Sequence, residues 1–138
     1  MKVLALDYGS ARTGIAVSDP TGLLARPLKV VRKAGSEKGL AYLVEVIRAE
    51  APEQVVVGLP LTPKGARGAQ AVETERFVEA LRAALSEIPV TTYDERFTTA
   101  LASRTGAAAG KGGAAAGEDA RAAAHLLESY LQWAAGRP

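Results

Sequence analysis

The sequence has no cysteine, and histidine, methionine and tryptophan occur once each among its 138 residues. Without cysteine the chain can form neither disulfides nor thiolate zinc sites, and this usage favours a cytoplasmic protein. No apolar run approaches the length of a membrane span and Met1 leads straight into a strand pattern, so we expect neither a membrane segment nor a leader. We interpret the single histidine, His125, as structural, which leaves Ser-His-Asp and Cys-His catalysis without a base.

The net charge also says little about the function of the protein. The chain has 17 basic and 15 acidic residues, and its net charge of +2 favours polyanionic partners only weakly. Hydrophobic residues make up 48% of the sequence, which is ordinary for a globular protein. The length and the lack of an internal repeat predict one domain over residues 1–138, with one core.

The apolar stretch before Asp7 is the first structural signal. Side chains alternate along a strand, so Val3, Ala5 and Asp7 share one face, and the apolar residues between them take the other. Two apolar faces predict a central strand that is buried on both sides. Residues 15–19 and 28–31 show two further strand patterns, which predicts a three-stranded antiparallel meander rather than a Rossmann opening.

The rest of the chain alternates between helical and strand periodicity. The pattern predicts a helix over 36–50, a strand over 55–60, a polar loop over 62–68, a helix over 69–85 and a strand over 90–93. Five glycines among residues 106–117 predict a mobile loop that carries Lys111 and covers the site. The last helix is predicted from about Glu118 to Ala134. The fold class is therefore α/β, with a mixed five-stranded sheet flanked by helices.

Three carboxylates stand where chemistry could use them. Asp7 closes the first strand, Glu95 follows the fifth, and Asp119 begins the last helix on its inner face. The first and fifth strands are expected to run parallel, so their carboxyl ends meet at one sheet edge and the three acids should converge there. Oxygen ligands without histidine or cysteine suit Mg²⁺ or Mn²⁺, and two such ions about 4 Å apart can clamp a phosphodiester.

Each acid also has a structural interpretation. Asp7 could cap a turn, Glu95 could form a surface pair with Arg96, and Asp119 could be an ordinary acid in a first helical turn. The glycine-rich segment lacks the lysine–serine ending and the preceding strand of a P-loop. The joint topology of the acids favours chemistry over these separate alternatives.

Four ordered motifs resemble those of the YqgF (RuvX-type) family across nearly the whole chain. They are residues 4–19, residues 57–61 with Gly65, the Asp-Glu-Arg-Phe-Thr-Thr run at 94–99, and Asp119 with Ala122 and Ala123. The resemblance implies a ribonuclease H-like fold, a divalent metal and nuclease activity. Family members are described as Holliday junction resolvases, and bacterial ones are linked to processing of the small-subunit ribosomal RNA precursor.

The resemblance also implies roles for individual residues. Asp7, Glu95 and Asp119 would be the catalytic, metal-binding acids. Residues placed near the substrate would be Arg12, Lys64, Arg96, Thr98 and Lys111. In this chain alanine and glycine dilute the basic stretch that usually precedes the last aspartate, which leaves Lys111 as its remaining charge.

The favoured hypothesis is a metal-dependent endonuclease that acts on structured nucleic acid and processes the precursor of 16S ribosomal RNA. It would use two Mg²⁺ or Mn²⁺ ions, act as a monomer or weak homodimer, favour RNA and have no membrane partner. The first alternative is a Holliday junction resolvase acting on DNA, which would be expected to work as a dimer. The second is a non-catalytic RNA-binding or ribosome assembly factor. An actin-like phosphotransferase would need more than 138 residues to build its two domains.

Overall fold

The computed structural model describes residues 1–97 and 112–136, and within these ranges the chain forms five strands and three long helices. The elements in order are β1 (Val3–Asp7), β2 (Arg12–Ser18), β3 (Ala25–Arg32), α1 (Glu37–Glu50), β4 (Gln54–Leu59), α2 (Ala69–Ala84), β5 (Val90–Asp94), a 3-10 turn (Glu95–Phe97) and α3 (Gly112–Ala135). Within the described ranges, no helix combines the length and apolar character needed to cross a membrane.

The strands form one mixed sheet in the order β3-β2-β1-β4-β5. The β1–β2 and β2–β3 pairs are antiparallel, whereas β1–β4 and β4–β5 are parallel. This arrangement confirms the predicted fold class, a meander joined to two parallel strands. β1 lies at the centre, and its residues Val3 to Leu6 are buried, so the two-sided burial predicted for this strand is also confirmed.

Alternation along the strands divides the core into two layers. One face of β1 carries Leu4 and Leu6, which pack with residues of α1 and α2, including Leu43 and Phe77. The opposite face carries Val3 and Ala5, which pack with four buried side chains of α3. These are Ala123, Ala124, Leu126 and Leu127. Because α3 is rich in alanine here, its backbone can approach the sheet closely, and this approach positions Asp119.

The first helix begins and ends as its sequence predicts. The Ser36 hydroxyl accepts a hydrogen bond from the Gly39 N–H at 3.0 Å, which satisfies one of the unpaired donors of the first turn. Ala51 adopts a left-handed conformation (φ 51°) at the end of the helix and precedes Pro52, which cannot continue it.

Other boundaries differ from prediction. β3 begins at Ala25 rather than at residue 28, because pairing with β2 extends to Ser18. α3 begins at Gly112 rather than near Glu118, so the second half of the predicted loop is helical. Alanine favours helix, and extending a helix that is already packed needs no new nucleus, which offsets the cost of the glycines. The prediction of a mobile flap otherwise concerns residues 106–111, which lie outside the described ranges.

Candidate active site

Asp7 ends β1 between two glycines. Its antiparallel partner on β2 is Gly14. On the other side, β1 and β4 are in register up to the Leu6–Val57 pair, and one further residue brings Asp7 beside Gly58. Asp7 is half-buried at this strand end. The missing side chains on both neighbouring strands let other elements approach the sheet on either side of Asp7.

The space at Gly14 is filled by the backbone of α3. A Cβ added to Gly14 would lie only 2.0 Å from the Asp119 carbonyl oxygen and 3.0 Å from the Ala120 nitrogen. No side chain fits at such distances, so only glycine lets α3 cross β2 here. Directly opposite residues of an antiparallel pair project on one face of the sheet, so Asp7 and Asp119 lie on the same face.

The space at Gly58 is filled by Glu95. A Cβ at Gly58 would lie 2.8 Å from Glu95 Cγ and 2.9 Å from its Cδ. Glu95 is the first residue of the 3-10 turn that follows β5, and it is half-buried. The turn therefore folds the glutamate back over β4, toward the end of β1.

Asp7 and Glu95 share a cleft of about 160 Å³ at the carboxyl ends of these strands. Six of its lining residues carry polar side chains that the chemistry can use: Asp7, Ser10, Glu95 and, from α2, Gln70, Glu73 and Thr74. The three α2 residues were not among the predicted site residues. Their spacing of three and four places them on one helical face, and this polar face was the available sequence signal.

The α2 wall of the cleft is locally ordered. Thr74 is buried, and its Oγ1 donates a hydrogen bond to the Gln70 carbonyl at 2.9 Å. Tyr8 stacks on Phe77 with ring centroids 4.3 Å apart. Burial, and secondarily the charge of Glu73, raises the pKa of the Tyr8 phenol. Tyr8 is therefore a neutral wall of the cleft, adjacent in sequence to Asp7.

Asp119 is held by Arg12 instead of lining this cleft. Arg12 Nε lies 2.9 Å from Asp119 Oδ2. The contact is an ion pair without hydrogen-bond geometry. Asp119 Oδ2 is buried and accepts no hydrogen bond from the residues that the structure describes. Asp119 also lies about two turns inside α3, which removes the interpretation that it is a first-turn acid. Across the described ranges, no three acids or histidines are close enough together to hold a metal ion.

The donor set nevertheless fits a hard divalent cation. The three acids supply only carboxylate oxygens, which Mg²⁺ and Mn²⁺ prefer. A buried carboxylate oxygen without a hydrogen bond is costly unless a cation compensates it, and Asp119 Oδ2 is such an atom. The guanidinium of Arg12 supplies that positive charge in this arrangement.

Arg96 is engaged with its own strand end and the neighbouring loop. Its Nε and Nη2 donate to Asp94 Oδ2 at 3.0 and 2.6 Å, and its Nη1 donates to the Pro63 carbonyl at 3.4 Å. The hydrogen bonds from Arg96 hold the pKa of the Asp94 carboxyl below its ordinary value. Gly65, with φ 84°, turns the loop directly against this guanidinium. Arg96 thus fixes the loop that carries the exposed Lys64.

Two predicted substrate residues, Thr98 and Lys111, lie outside the described residues. Of the others, Arg12 is exposed at the start of β2, and its predicted role near substrate stays a prediction. The structure thus brings Asp7 and Glu95 to one cleft, and it places Asp119 on the same face with Arg12.

The family described as "RuvX: Holliday junction resolvase" matches residues 1–133. The chain belongs to the RuvX family. This confirms the resemblance to YqgF (RuvX-type) proteins that the four motifs indicated.

Two relatives cover almost the whole chain. A protein of Syntrophomonas wolfei is 39% identical over 133 residues, which is 95% of this chain and 94% of the relative. A protein of Rubrobacter xylanophilus is 41% identical over 135 residues, which is 98% of this chain and 95% of the relative. Both carry the name "Putative pre-16S rRNA nuclease". RuvX membership and these relatives make the chain a hydrolase of phosphodiester bonds, which confirms the predicted enzyme class.

Solved structures support the fold. RuvC of Thermus thermophilus in complex with a Holliday junction substrate has a TM-score of 0.60 at 23% identity, covering 99% of this chain and 96% of that one. The fowlpox virus resolvase with Holliday junction DNA has a TM-score of 0.62 at 10% identity, covering 97% and 99%. These similarities confirm the predicted ribonuclease H-like architecture.

Proposed function

We propose that this RuvX protein is a metal-dependent endonuclease that processes the precursor of 16S ribosomal RNA. The observation that carries the proposal is the cleft shared by Asp7 and Glu95, with the buried carboxylate oxygen of Asp119 on the same sheet face. The names of the two long relatives support ribosomal RNA as the substrate.

In this proposal Asp7, Glu95 and Asp119 hold two Mg²⁺ or Mn²⁺ ions. When bound, such ions activate water and neutralise the charge that develops on a phosphodiester. The protein's own contribution is orientation. Asp7 stands at the end of a fully buried strand, and Glu95 is packed over Gly58, so both carboxylates are positioned by rigid elements rather than by long loops.

Substrate contacts are proposed for exposed basic residues around the cleft. Arg12 balances Asp119 at the start of β2, where a phosphate backbone would approach the acids. Lys64 is exposed on the loop that Arg96 fixes, so we assign Arg96 a positioning role and Lys64 a phosphate contact. Thr98 completes the proposed set through the motif at 94–99, and Lys111 through the basic stretch that usually precedes the last aspartate. We further propose a cytoplasmic monomer or weak homodimer.

A second candidate function is resolution of Holliday junctions in DNA, because the matching family carries that description. A resolvase cuts two strands symmetrically and would need a paired arrangement of two such chains. A non-catalytic assembly factor would bind RNA without cutting it.

The discriminating experiment incubates the purified protein and Mn²⁺ or Mg²⁺ with two substrates in parallel reactions. The substrates are precursor ribosomal RNA and a four-way DNA junction. Asp7→Asn is the test variant, and Glu53→Gln, an exposed acid that precedes β4 at the opposite end of the sheet, is the matched control. Cleavage of the precursor by wild type and Glu53→Gln, but not by Asp7→Asn, is the expected result. Cleavage of the junction alone would favour the resolvase, and RNA binding without cleavage would favour the assembly factor.

A further inference from the structure

The β2–β3 ladder ends in two arginines that face each other. Arg12 of β2 is directly opposite Arg32 of β3. The Lys33 N–H donates to the Ala11 carbonyl at 3.0 Å, which closes the ladder just beyond this pair. In directly opposite residues the Cβ atoms are about 4.5–5.5 Å apart. The two guanidinium groups therefore start from a fixed, hydrogen-bonded strand end.

Both arginines project from the sheet face that carries the acids. Arg12 precedes Gly14 by two residues, so both lie on the face of the sheet where Gly14 contacts the Asp119 backbone. The ion pair between Arg12 and Asp119 is consistent with this placement. Arg32, as the opposite residue, projects on the same face. Neighbouring strands are about 4.8 Å apart, so β3 lies about 10 Å from β1, the strand of Asp7.

The charges of this pair are not balanced within the described ranges. Like charges directly opposite each other destabilise a sheet. Asp119 pairs with Arg12, but the exposed Arg32 side chain has no ion pair or hydrogen bond to any residue that the structure describes. A second anion between the two guanidinium groups would relieve the repulsion. Phosphodiester oxygens suit this position because guanidinium binds phosphate through paired N–H donors.

We propose that Arg12 and Arg32 form a phosphate clamp that binds the nucleic acid backbone beside the acidic cleft. The clamp deepens the proposed nuclease function and rests on it for the identity of the substrate as nucleic acid. It adds Arg32, on an edge strand, to the substrate surface. Backbone contacts of this kind set the position of a strand and read no sequence.

The test measures binding in EDTA, without cleavage. Fluorescence anisotropy with labelled precursor RNA is recorded across a salt series for wild type, Arg32→Gln, Arg32→Lys and the control Arg26→Gln. Arg26 is an exposed arginine of the same strand. It lies opposite Val17, and Val17 lies opposite Leu4, whose side chain belongs to the core layer under α1 and α2. The control therefore removes the same charge from the opposite face of the sheet.

We expect Arg32→Gln to weaken binding several-fold and to lower the slope of log affinity against log salt by about 0.7–0.9, the value of one phosphate contact. Arg32→Lys should keep the slope with intermediate affinity, because lysine retains the charge without the paired donors. Arg26→Gln should keep the wild-type slope. The melting temperature of Arg32→Gln should be unchanged or higher, because a like-charge pair has been removed.

Several results would overturn the clamp. One is an Arg32→Gln slope equal to that of Arg26→Gln, and another is weaker binding accompanied by a lower melting temperature, which marks a structural residue. A third result combines two measurements: inorganic phosphate stabilises wild type but not Arg32→Gln, and the two proteins bind RNA with equal affinity. The arginine pair would then bind small anions rather than nucleic acid. If Arg32→Gln weakens RNA binding but no cleavage occurs with Mn²⁺, the clamp stands and the nuclease proposal fails. If wild type cleaves the precursor but Arg32→Gln binds RNA as tightly as wild type, the nuclease proposal stands and the clamp fails.

Discussion

Gly14 and Asp119 are in such close contact that a Cβ on Gly14 would stand 2.0 Å from the Asp119 carbonyl oxygen. This close approach fixes the distance between α3 and β2, and it brings Asp119 to the sheet face that carries Asp7. Gly58 plays the same part for Glu95 on the other side of Asp7. Two glycines, rather than further polar residues, thus determine where the candidate ligands lie.

Gly14→Ala should therefore destabilise the protein and reduce nuclease activity together. The added methyl group meets backbone rather than a movable side chain, so α3 must shift, at a cost of about 3 kcal/mol. Gly136→Ala is the control, because a Cβ there would make ordinary contacts at 3.7 Å. Urea unfolding monitored by circular dichroism measures both variants. Equal midpoints for wild type and Gly14→Ala would contradict the close approach.

A second prediction concerns Asp94 and acid stability. Hydrogen bonds from Arg96 lower the Asp94 pKa in the folded protein, and a lowered pKa stabilises the fold at pH values above the unfolded value of about 3.9. That contribution is lost as the pH falls through the folded pKa. Arg96→Gln should thus be less stable than wild type above about pH 5, and the difference should shrink as the pH falls below 3.9.

The measurement is urea unfolding of both proteins at several pH values. Arg82→Gln is a suitable control, because its ion pair with Glu79 lies within α2, away from the loop that Arg96 contacts, and its other hydrogen bond goes to the Val90 carbonyl, which does not titrate. A stability difference for Arg96→Gln that stays constant down to the lowest pH would show that Asp94 ionisation is not its cause.

Local patterns predicted the parts of the fold that depend on local physics. The alternation around Asp7 indicated a central strand, and Ser36 with Pro52 marked the first helix. The pairing of Arg12 with Asp119 depends on the register of β2 and on the depth of α3, which no local pattern encodes.

The cleft wall was missed for a similar reason. Gln70, Glu73 and Thr74 form one polar face of α2, but such faces usually meet solvent. The packing of the opposite, apolar face of α2, including the stacking of Phe77 on Tyr8, turns this polar face toward Asp7. The start of α3 was misplaced because glycine spacing alone indicated a loop, whereas the packed helix extends through it.

A third prediction treats Arg12 and Asp119 as a coupled pair. Arg12→Gln leaves the buried Asp119 Oδ2 without its positive partner and should cost about 1 kcal/mol, a value discounted for the partial exposure of the pair. Adding Asp119→Asn should cost little more, because the stranded charge is then gone. Urea unfolding of the four proteins gives the coupling energy.

The more exposed pair Arg82–Glu79, which makes a single contact within α2, supplies the matched cycle, in which coupling should be smaller. Divalent ions should also stabilise Arg12→Gln more than wild type, because the ion no longer competes with a guanidinium for Asp119. Equal coupling in the two cycles would show that the buried oxygen adds nothing to the interaction.

The fourth prediction tests Asp7 itself. Asp7, Glu73 and Glu95 line one cleft, so their charges repel one another when no cation is bound. Asp7→Asn keeps the size of the side chain and removes one charge. We expect the metal-free melting temperature to be unchanged or slightly higher, and nuclease activity to fall by orders of magnitude. Thermal melts with and without Mn²⁺, run beside cleavage assays, measure both effects.

The metal dependence separates a ligand from a turn cap. Wild type should gain stability with Mn²⁺ by mass action, and this gain should shrink in Asp7→Asn, because the variant binds the ion more weakly. An asparagine would replace a merely capping aspartate well, since its side-chain oxygen accepts the same hydrogen bond. Glu53→Gln removes one acid at the other end of the sheet and should keep the full Mn²⁺ gain. An Asp7→Asn protein that still cleaves and keeps the wild-type gain would exclude Asp7 from the metal site. The acids left in the cleft as ligands would then be Glu73 and Glu95.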